Sequence, residues 1–412
     1  MDTISIQLKV EREFDNFNSF ESCLIVEVRR AVLEMVKQYI EKMDIQFSRI
    51  FEQDHPDYRY NGKTSCKLRT YFGSVWINRH RYRRAGHKDI YPLASFLPES
   101  GMSRMVADLA IDLGTELPYG RSSRLLERFL GIKLSGKGIW HLIQREGRKE
   151  REIHDRERRR IFEEARDEYS HDYQTPIEQR LQPPVYIEVD GTMVSSREKG
   201  EDRFEIKNGI MYSCIQQIGK HRWRLMNKQS YTEVENSEIF SERFYAFCRK
   251  RGLNWRQPVT FISDGAGWLR STANYVFPLA EKCLDLYHLK KACSKVLNDD
   301  EMEIINWTVY DQSAEELVGK IQNLVRSKNL SIKDQTELLT YVSQNRDSMN
   351  YSREDRNGSG GIEKNIGIHI GRRCKRQGMS WSRKGINNLL ALRSKKLNQM
   401  WSETSRRYKN CR

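Results

Sequence analysis

Asp190 sits in residues 185–195, VYIEVDGTMVS, directly after Pro183-Pro184. The prolines close the preceding segment, and the alternation of apolar and polar β-formers that follows predicts a strand. Side chains alternate across a strand, so Glu188 and Asp190 share one face while Val185, Ile187 and Val189 share the other. Two carboxylates on a core strand are costly to bury without a cation, and an all-oxygen ligand set suits Mg²⁺ or Mn²⁺. An edge strand with a wet polar face is the alternative that this segment alone leaves open. Asp264 follows a second apolar run, Val259-Thr-Phe-Ile-Ser, with Gly265 and Gly267 close behind it. A carboxylate at a strand end beside glycines permits close approach by a phosphate or a metal. Glu363 comes just after the glycine run of residues 357–361, where Ser359 or Gly360 can cap a new helix. In the first turn the helix dipole favours an ionised carboxylate, the form a metal ligand needs.

The elements that position these groups follow from the same pattern. Segments 185–195, 204–218 and 222–231 read as three strands, followed by a helix over 237–250, a strand at 259–263 and a strand at 282–287 that carries Asp285 and runs into His288. This βββαβαβ order predicts a mixed sheet with helices on its faces. All nine prolines lie at or before Pro278, and the spacing of Leu317, Ile321, Leu324 and Val325 predicts a helical insertion at about 300–350.

The N-terminal half is of another kind. Phe20, Leu24, Val28, Ala31, Met35, Tyr39 and Met43 recur at helical intervals and predict one long amphipathic helix. Residues 66–84 read as two short strands around Gly73-Ser74, with Arg79 and Arg81 among the basic residues interleaved with Tyr71, Trp76 and Tyr82; such a hairpin suits phosphate contact, or is a solvated basic surface. Helices are expected at 103–116, 120–130 and 136–149, with Ser135 as an N-cap and a glycine-bearing turn at Gly131. That arrangement fits a helix-turn-helix whose last helix would present Lys137, His141 and Arg145 to the major groove, and it fits a plain structural helix pair too. Residues 149–169 are charged nearly throughout and read as an exposed helical connector, followed by a proline-bearing loop. The expected divisions are 1–100, 101–150, a linker at 151–182 and a core at 183–412.

The totals agree with a polyanion partner. Among 412 residues, 71 Lys and Arg outnumber 56 Asp and Glu, for a net charge of +15. That excess favours nucleic acid. A mean hydropathy of −0.76 and the lack of any long apolar run exclude a helical membrane span. The opening MDTISIQLKVEREFD lacks a secretory layout, so a cytoplasmic location is expected. Eight cysteines fall in no CxxC pair, which argues against a zinc ribbon and for reduced thiols.

Asp190, Asp264 and Glu363 form an ordered series, and the blocks EVDGT, SDGAGW, Asp285-Leu-Tyr-His288, GSGGIE and Gly378-Met-Ser-Trp381-Ser follow one another along the chain. In these features the chain resembles the DDE transposases, more narrowly the bacterial insertion-sequence transposases of the ISLre and ISKra kind, and more distantly the Mutator-like group. The resemblance implies an α/β fold with an RNase H-like catalytic core and a helical insertion, behind a mainly α N-terminal DNA-binding region. It also implies two Mg²⁺ (or Mn²⁺) ions on Asp190, Asp264 and Glu363, with no covalent protein nucleophile. Double-stranded DNA would be the partner, as terminal inverted repeats and as target, and at least a dimer would work on it within the bacterial nucleoid. Arg372 and Arg373 would hold phosphates or be surface charges. Asp285 and His288 would lie beside the active site or form a buried structural pair, and Trp381 would be a stacking wedge or a core indole. Glu188 is a rival ligand to Asp190, and Gly361 and Lys364 depart from the neighbours the family pattern leads one to expect around Glu363. Two further readings stand beside this one: a catalytically inactive, transposase-derived DNA-binding protein, and a structure-specific nuclease.

Overall fold

A computed structural model describes residues 13–163, 184–220, 222–254, 257–328, 331–351, 361–375 and 378–409. The chain divides into two compact units, Met1–Leu142 and Ile143–Arg412. No helix among the described residues is long and apolar enough to cross a membrane.

The first unit is built around α1 (Phe17–Asp54), whose N-terminus is closed by the Asn16 side chain accepting from Ser19 N at 3.0 Å. Its apolar stripe packs on an antiparallel hairpin of β1 (Arg59–Thr70) and β2 (Gly73–Arg83), burying Ile40, Leu68, Val75, Ile77 and Leu93. Truncating Ile77, fully buried in that layer, would cost about 2–5 kcal/mol. Next come α2 (Arg104–Glu116) and α3 (Tyr119–Leu130), the latter stopped by Gly131 in the left-handed region at φ +64. α4 (Gly136–Phe162) opens with Ser135 Oγ accepting from Gly138 N at 3.1 Å.

α4 runs unbroken through residue 151 to Phe162, helical as expected of the charged connector. Its charged second half is not exposed throughout, however. Arg151 reaches Glu233 at 3.2 Å, Arg158 reaches Glu242 at 2.6 Å, and Asp155 receives Arg243 at 2.9 Å. Paired charges let a mostly polar helix pack with few apolar contacts, those of His154 and Phe162 among them, which its sequence alone conceals. The proline-bearing loop before Pro184 and the glycine run at 357–360 lie outside the described residues.

The second unit is organised on a five-stranded sheet of order β7-β4-β3-β8-β9. β3 (Tyr186–Ser195) is central, antiparallel to β4 (Arg203–Tyr212) and parallel to β8 (Thr260–Ser263). β7 (Gln229–Glu233) closes one edge and β9 (Glu281–Leu284) the other, parallel to β8. The second and third expected strands are each split. At Ser213 and Asn227, the latter at φ +53, the chain leaves the sheet as a separate hairpin of β5 (Cys214–Gly219) and β6 (Arg222–Met226). Asn227 Nδ2 donates to Ser213 Oγ at 2.9 Å and pins that exit.

One sheet face carries Val185, Ile187, Val189 and Met211 and is covered by α5 (Ser237–Lys250) and α6 (Gly267–Val276) through Phe240, Phe244, Leu269 and Ala273. The other carries Tyr186, Ile210, Tyr212 and Ile262 and meets α11 (Gly361–Ile366) through Ile362. The polypeptide between these layers supplies α7 (Leu286–Cys293) and the helices α8 (Asp299–Asp311), α9 (Ala314–Arg326) and α10 (Ile332–Gln344), which share their own apolar cluster. Beyond α11 the helix widens into a π turn at Gly367–Gly371 and continues briefly as α12 (Arg372–Cys374). α13 (Arg383–Lys409) ends the chain's described part and packs on β7.

Candidate functional site

The strand register lines up three carboxylates. Glu188 pairs with Ile262 and Ser263 pairs with Leu284 across parallel strands. Carrying both registers forward one or two residues sets Asp190, Asp264 and Asp285 abreast on three neighbouring strands, roughly 5 Å apart at the backbone. Alternation turns all three toward the face that α11 covers, and α11 brings Glu363 over that face.

Local hydrogen bonds fix each group. Asp190 accepts from the next amide, Gly191 N, at 2.6 Å. Asp264 accepts from Ala266 N at 2.8 Å, its carbonyl receives the Tyr341 hydroxyl of α10 at 2.8 Å, and Gly265 adopts φ +82 to make the turn. A side chain at Gly265 would also strike the Asn345 amide, its Cβ only 2.5 Å from Oδ1, so α10 and the residues after it brace the Asp264 turn. Asp285 caps α7, accepting from Tyr287 N at 3.0 Å and meeting His288 Nδ1 at 2.9 Å. Asp285, His288 and Glu363 offer ligand atoms that all lie within 4.8 Å of one another. They are the tightest group at the site among the described residues, with Asp190 and Asp264 adjoining it.

Glu363 is the anomaly. Both its carboxylate oxygens are shut off from solvent and, among the described residues, make no well-formed hydrogen bond; they lie against Asp285 and the residue's own backbone amide, and His288 Nδ1 stands 3.7 Å away. Burial raises its pKa and Asp285 raises it further, against the pull of its own backbone amide and of His288. Burial likewise pushes Asp190 up to about 6, with Asp264 and Glu363 adding to the rise. His288 moves up from its ordinary value, chiefly through its bond to Asp285. These are the marks of converged negative charge without a full counter-charge. Shielded oxygen donors of this kind match a hard divalent cation, so the donor set fits Mg²⁺ or Mn²⁺.

Glu188 takes a different part from that of a rival ligand. Buried and pushed up to about 7 by that burial, it accepts from Tyr212 Oη at 2.8 Å and from Ile362 N at 2.8 Å. It thus holds the start of α11, the helix that carries Glu363. A Cβ at Gly361 would lie 2.6 Å from Glu188 Oε1, which explains the glycine at a position where the family pattern leads one to expect another residue. Lys375 is a second group the sequence did not single out: its Nζ donates to Thr192 Oγ1, and its charge bears on Asp190. Beside the carboxylates a cavity of about 310 Å³ opens between α7 and α10, lined by Asp264, His288, Lys291, Lys295, Leu338 and Tyr341.

The remaining candidate residues divide. Lys137, His141 and Arg145 are exposed at four-residue steps along α4, and Arg145 pairs with Glu146 at 2.7 Å. On the β1–β2 hairpin, Arg79 stacks on Tyr91 at 4.0 Å and Arg81 donates to Asn61 O at 3.0 Å and faces Asp89. Tyr82 is a core residue bonded to Glu52, whereas Trp76 stays 60% exposed. Arg372 is exposed, but Arg373 is buried over Trp381 at 5.1 Å, a packing position rather than a phosphate contact. Trp381 is a core indole whose Nε1 donates to Cys374 O at 3.0 Å, not a wedge at the surface.

A mixed sheet with carboxylates level on three parallel strands, and a fourth on the covering helix, defines an α/β protein with an acidic site. The chain belongs to the uncharacterised protein family UPF0236, whose family model matches residues 11–409. It is also similar to the UPF0236 protein in vanSb 3'region of Streptococcus gallolyticus, at 22% identity over 350 residues covering 80% of this chain and 72% of that protein.

Proposed function

We propose that this chain is a DDE-type transposase that cuts and rejoins DNA by metal-dependent phosphoryl transfer, on an RNase H-like core. The observation that carries the reading is the Glu363 carboxylate, shielded from solvent and without a well-formed hydrogen bond among the described residues, held against Asp285 and His288 beside Asp190 and Asp264. The sheet supports it, since three antiparallel strands followed by two parallel ones reached through helices match a βββαβαβ core.

On this reading Asp190, Asp264 and Glu363 hold the divalent cations, with Asp285 and His288 at the edge of the set. When bound, the cations supply an activated water or 3′-hydroxyl oxygen and neutralise charge at the leaving oxygen. Glu188 and Tyr212 keep α11 in register so that Glu363 stays over the strands, and Tyr341 steadies the Asp264 turn. The Asp285–His288 pair orients the imidazole, whose positive form offsets the acidic cluster. Lys137, His141 and Arg145 form the exposed basic stripe of a helix-turn-helix that would read the element's ends, and the hairpin's basic residues would add phosphate contacts. Two ends must be processed together, so the working form would be at least a dimer on DNA, acting in the cytoplasm at the nucleoid.

The test is cleavage and strand transfer on labelled, end-containing DNA with Mg²⁺ or Mn²⁺, comparing the intact chain with Glu363→Gln. Residues that only support ligands cost about 10–100-fold, so loss of a ligand should exceed roughly 100-fold. Equal cleavage by both proteins would overturn the assignment, and tight DNA binding without cleavage by either would leave a catalytically inactive DNA-binding protein.

A further inference from the structure

The β5–β6 hairpin has no part in the chemistry above, yet its composition and placement are distinctive. Between Cys214 and Lys228 the chain has four Lys and Arg, at Lys220, Arg222, Arg224 and Lys228, and no Asp or Glu. Ile215 and Leu225 face each other in the register and pack onto the cluster that contains Ile362 of α11. Lys228 donates to Asn365 Oδ1 of the same helix at 3.2 Å. The hairpin is therefore seated against the helix that carries Glu363.

The same hairpin face continues two residues toward the tip to Trp223, opposite Gln217. There the core has ended, and the indole is 54% exposed with the basic residues Lys220 and Arg222 exposed beside it. Gln217 Nε2 donates to Gly219 O at 3.1 Å and to Lys220 O at 3.2 Å. An exposed indole among cations, on a hairpin whose sequence carries no Asp or Glu, is a stacking platform with an electrostatic guide. A buried core tryptophan would not sit among exposed cations. An apolar protein partner would draw little from the exposed charges of Lys220 and Arg222.

We infer that the β5–β6 hairpin binds a single, unpaired DNA strand next to the acidic site, with Trp223 stacking on a base and Lys220 and Arg222 on the flanking phosphates. The inference rests on the transposase reading for the identity of the nucleic acid and deepens it: the substrate at the site carries an unpaired base beside the bond to be cut, instead of a fully paired duplex.

The experiment uses the full chain and a DNA duplex with a short single-stranded segment containing 2-aminopurine, scanned position by position, in Ca²⁺ so that binding is read without turnover. Trp223→Ala should raise the dissociation constant roughly tenfold and remove the fluorescence quenching at one or two adjacent positions, while binding of a fully paired duplex changes little. Trp223→Phe should restore part of the quenching. The double variant Lys220→Gln, Arg222→Gln should instead lower the slope of log K against log salt by about 0.7 for each charge removed. Wild-type quenching and affinity in Trp223→Ala would overturn the inference even if metal-dependent cleavage is intact. So would a Trp223→Ala protein that changes its oligomeric state and nothing else. Trp223-dependent strand binding in a protein with no cleavage would keep the hairpin's role and sink the transposase reading.

Discussion

Two buried polar assemblies lie on the same side of the sheet and are built on opposite principles. Around His369, in the π turn after α11, every imidazole contact is made: Nδ1 meets Ser230 Oγ at 3.0 Å and Thr232 Oγ1 at 3.2 Å, and Nε2 meets Ser394 Oγ at 3.1 Å. Asn208, Asn365 and Asn398 extend that network to β4, α11 and α13, and Arg393 donates to the His369 carbonyl at 2.7 Å. Six residues earlier, Glu363 has two shielded oxygens that make no well-formed hydrogen bond among the described residues. A satisfied network specifies a fold, whereas converged carboxylates with few partners of their own suit the cation site proposed above. The network fixes the helix and the helix presents the unfinished site.

Breaking the network should give the largest stability effect. His369→Ala removes one partner from each of three buried hydroxyls and leaves a void, so urea unfolding should show a loss of about 3 kcal/mol, with or without divalent cations. A loss that vanishes on adding Mg²⁺ would put His369 in the acidic site instead.

The two assemblies should also answer pH with opposite signs. Burial holds His369 at about 3, and His154, buried against Tyr231 and Phe247, at about 3 as well. Both folded values lie below the ordinary 6.5, so their contribution is fully present above pH 6.5 and is lost as pH falls toward 3, at about 1.4 kcal/mol per pH unit for each histidine. Glu188 and Asp190 are raised, to about 7 and about 6 from 4.5 and 3.8. Their contribution is present below those ordinary values and lost as pH rises through the folded ones. In chelator the limbs oppose each other between pH 4.5 and 6.5, and Glu188→Gln should flatten the neutral limb alone.

The smallest effect should be a gain. Without divalent cations Glu363→Gln removes a shielded, unsatisfied charge and should stabilise the chain by about 1 kcal/mol in urea unfolding. With Mg²⁺ at ten times its dissociation constant the wild type should recover about 1.4 kcal/mol and the variant nothing. A variant less stable than wild type in chelator would mean that Glu363 is already satisfied.

The same contrast explains how far the sequence could be read. Alternation in VYIEVDGTMVS placed Glu188 and Asp190 on one face because a strand has a two-residue period whatever surrounds it. Asp264, Asp285 and Glu363 were visible because each sits at an element end marked by glycine or a capping residue. What stayed hidden depends on partners distant in sequence. Glu188 reads as a ligand until Tyr212 and Ile362 are seen to occupy it. Residues 149–162 read as an exposed connector until β7 and α5 supply their counter-charges. Arg373 reads as a phosphate contact or a surface charge until it is found buried over Trp381, itself legible as a core indole. His369 gave no signal at all, since a lone histidine between isoleucines carries no spacing rule.

The most direct measurement is titration calorimetry of the intact chain with Mn²⁺, set against Glu363→Gln and His369→Ala variants that remain folded. The account predicts saturable binding in the wild type and in His369→Ala, and its loss in Glu363→Gln. Undiminished Mn²⁺ binding by Glu363→Gln, or none by the wild type, would contradict it.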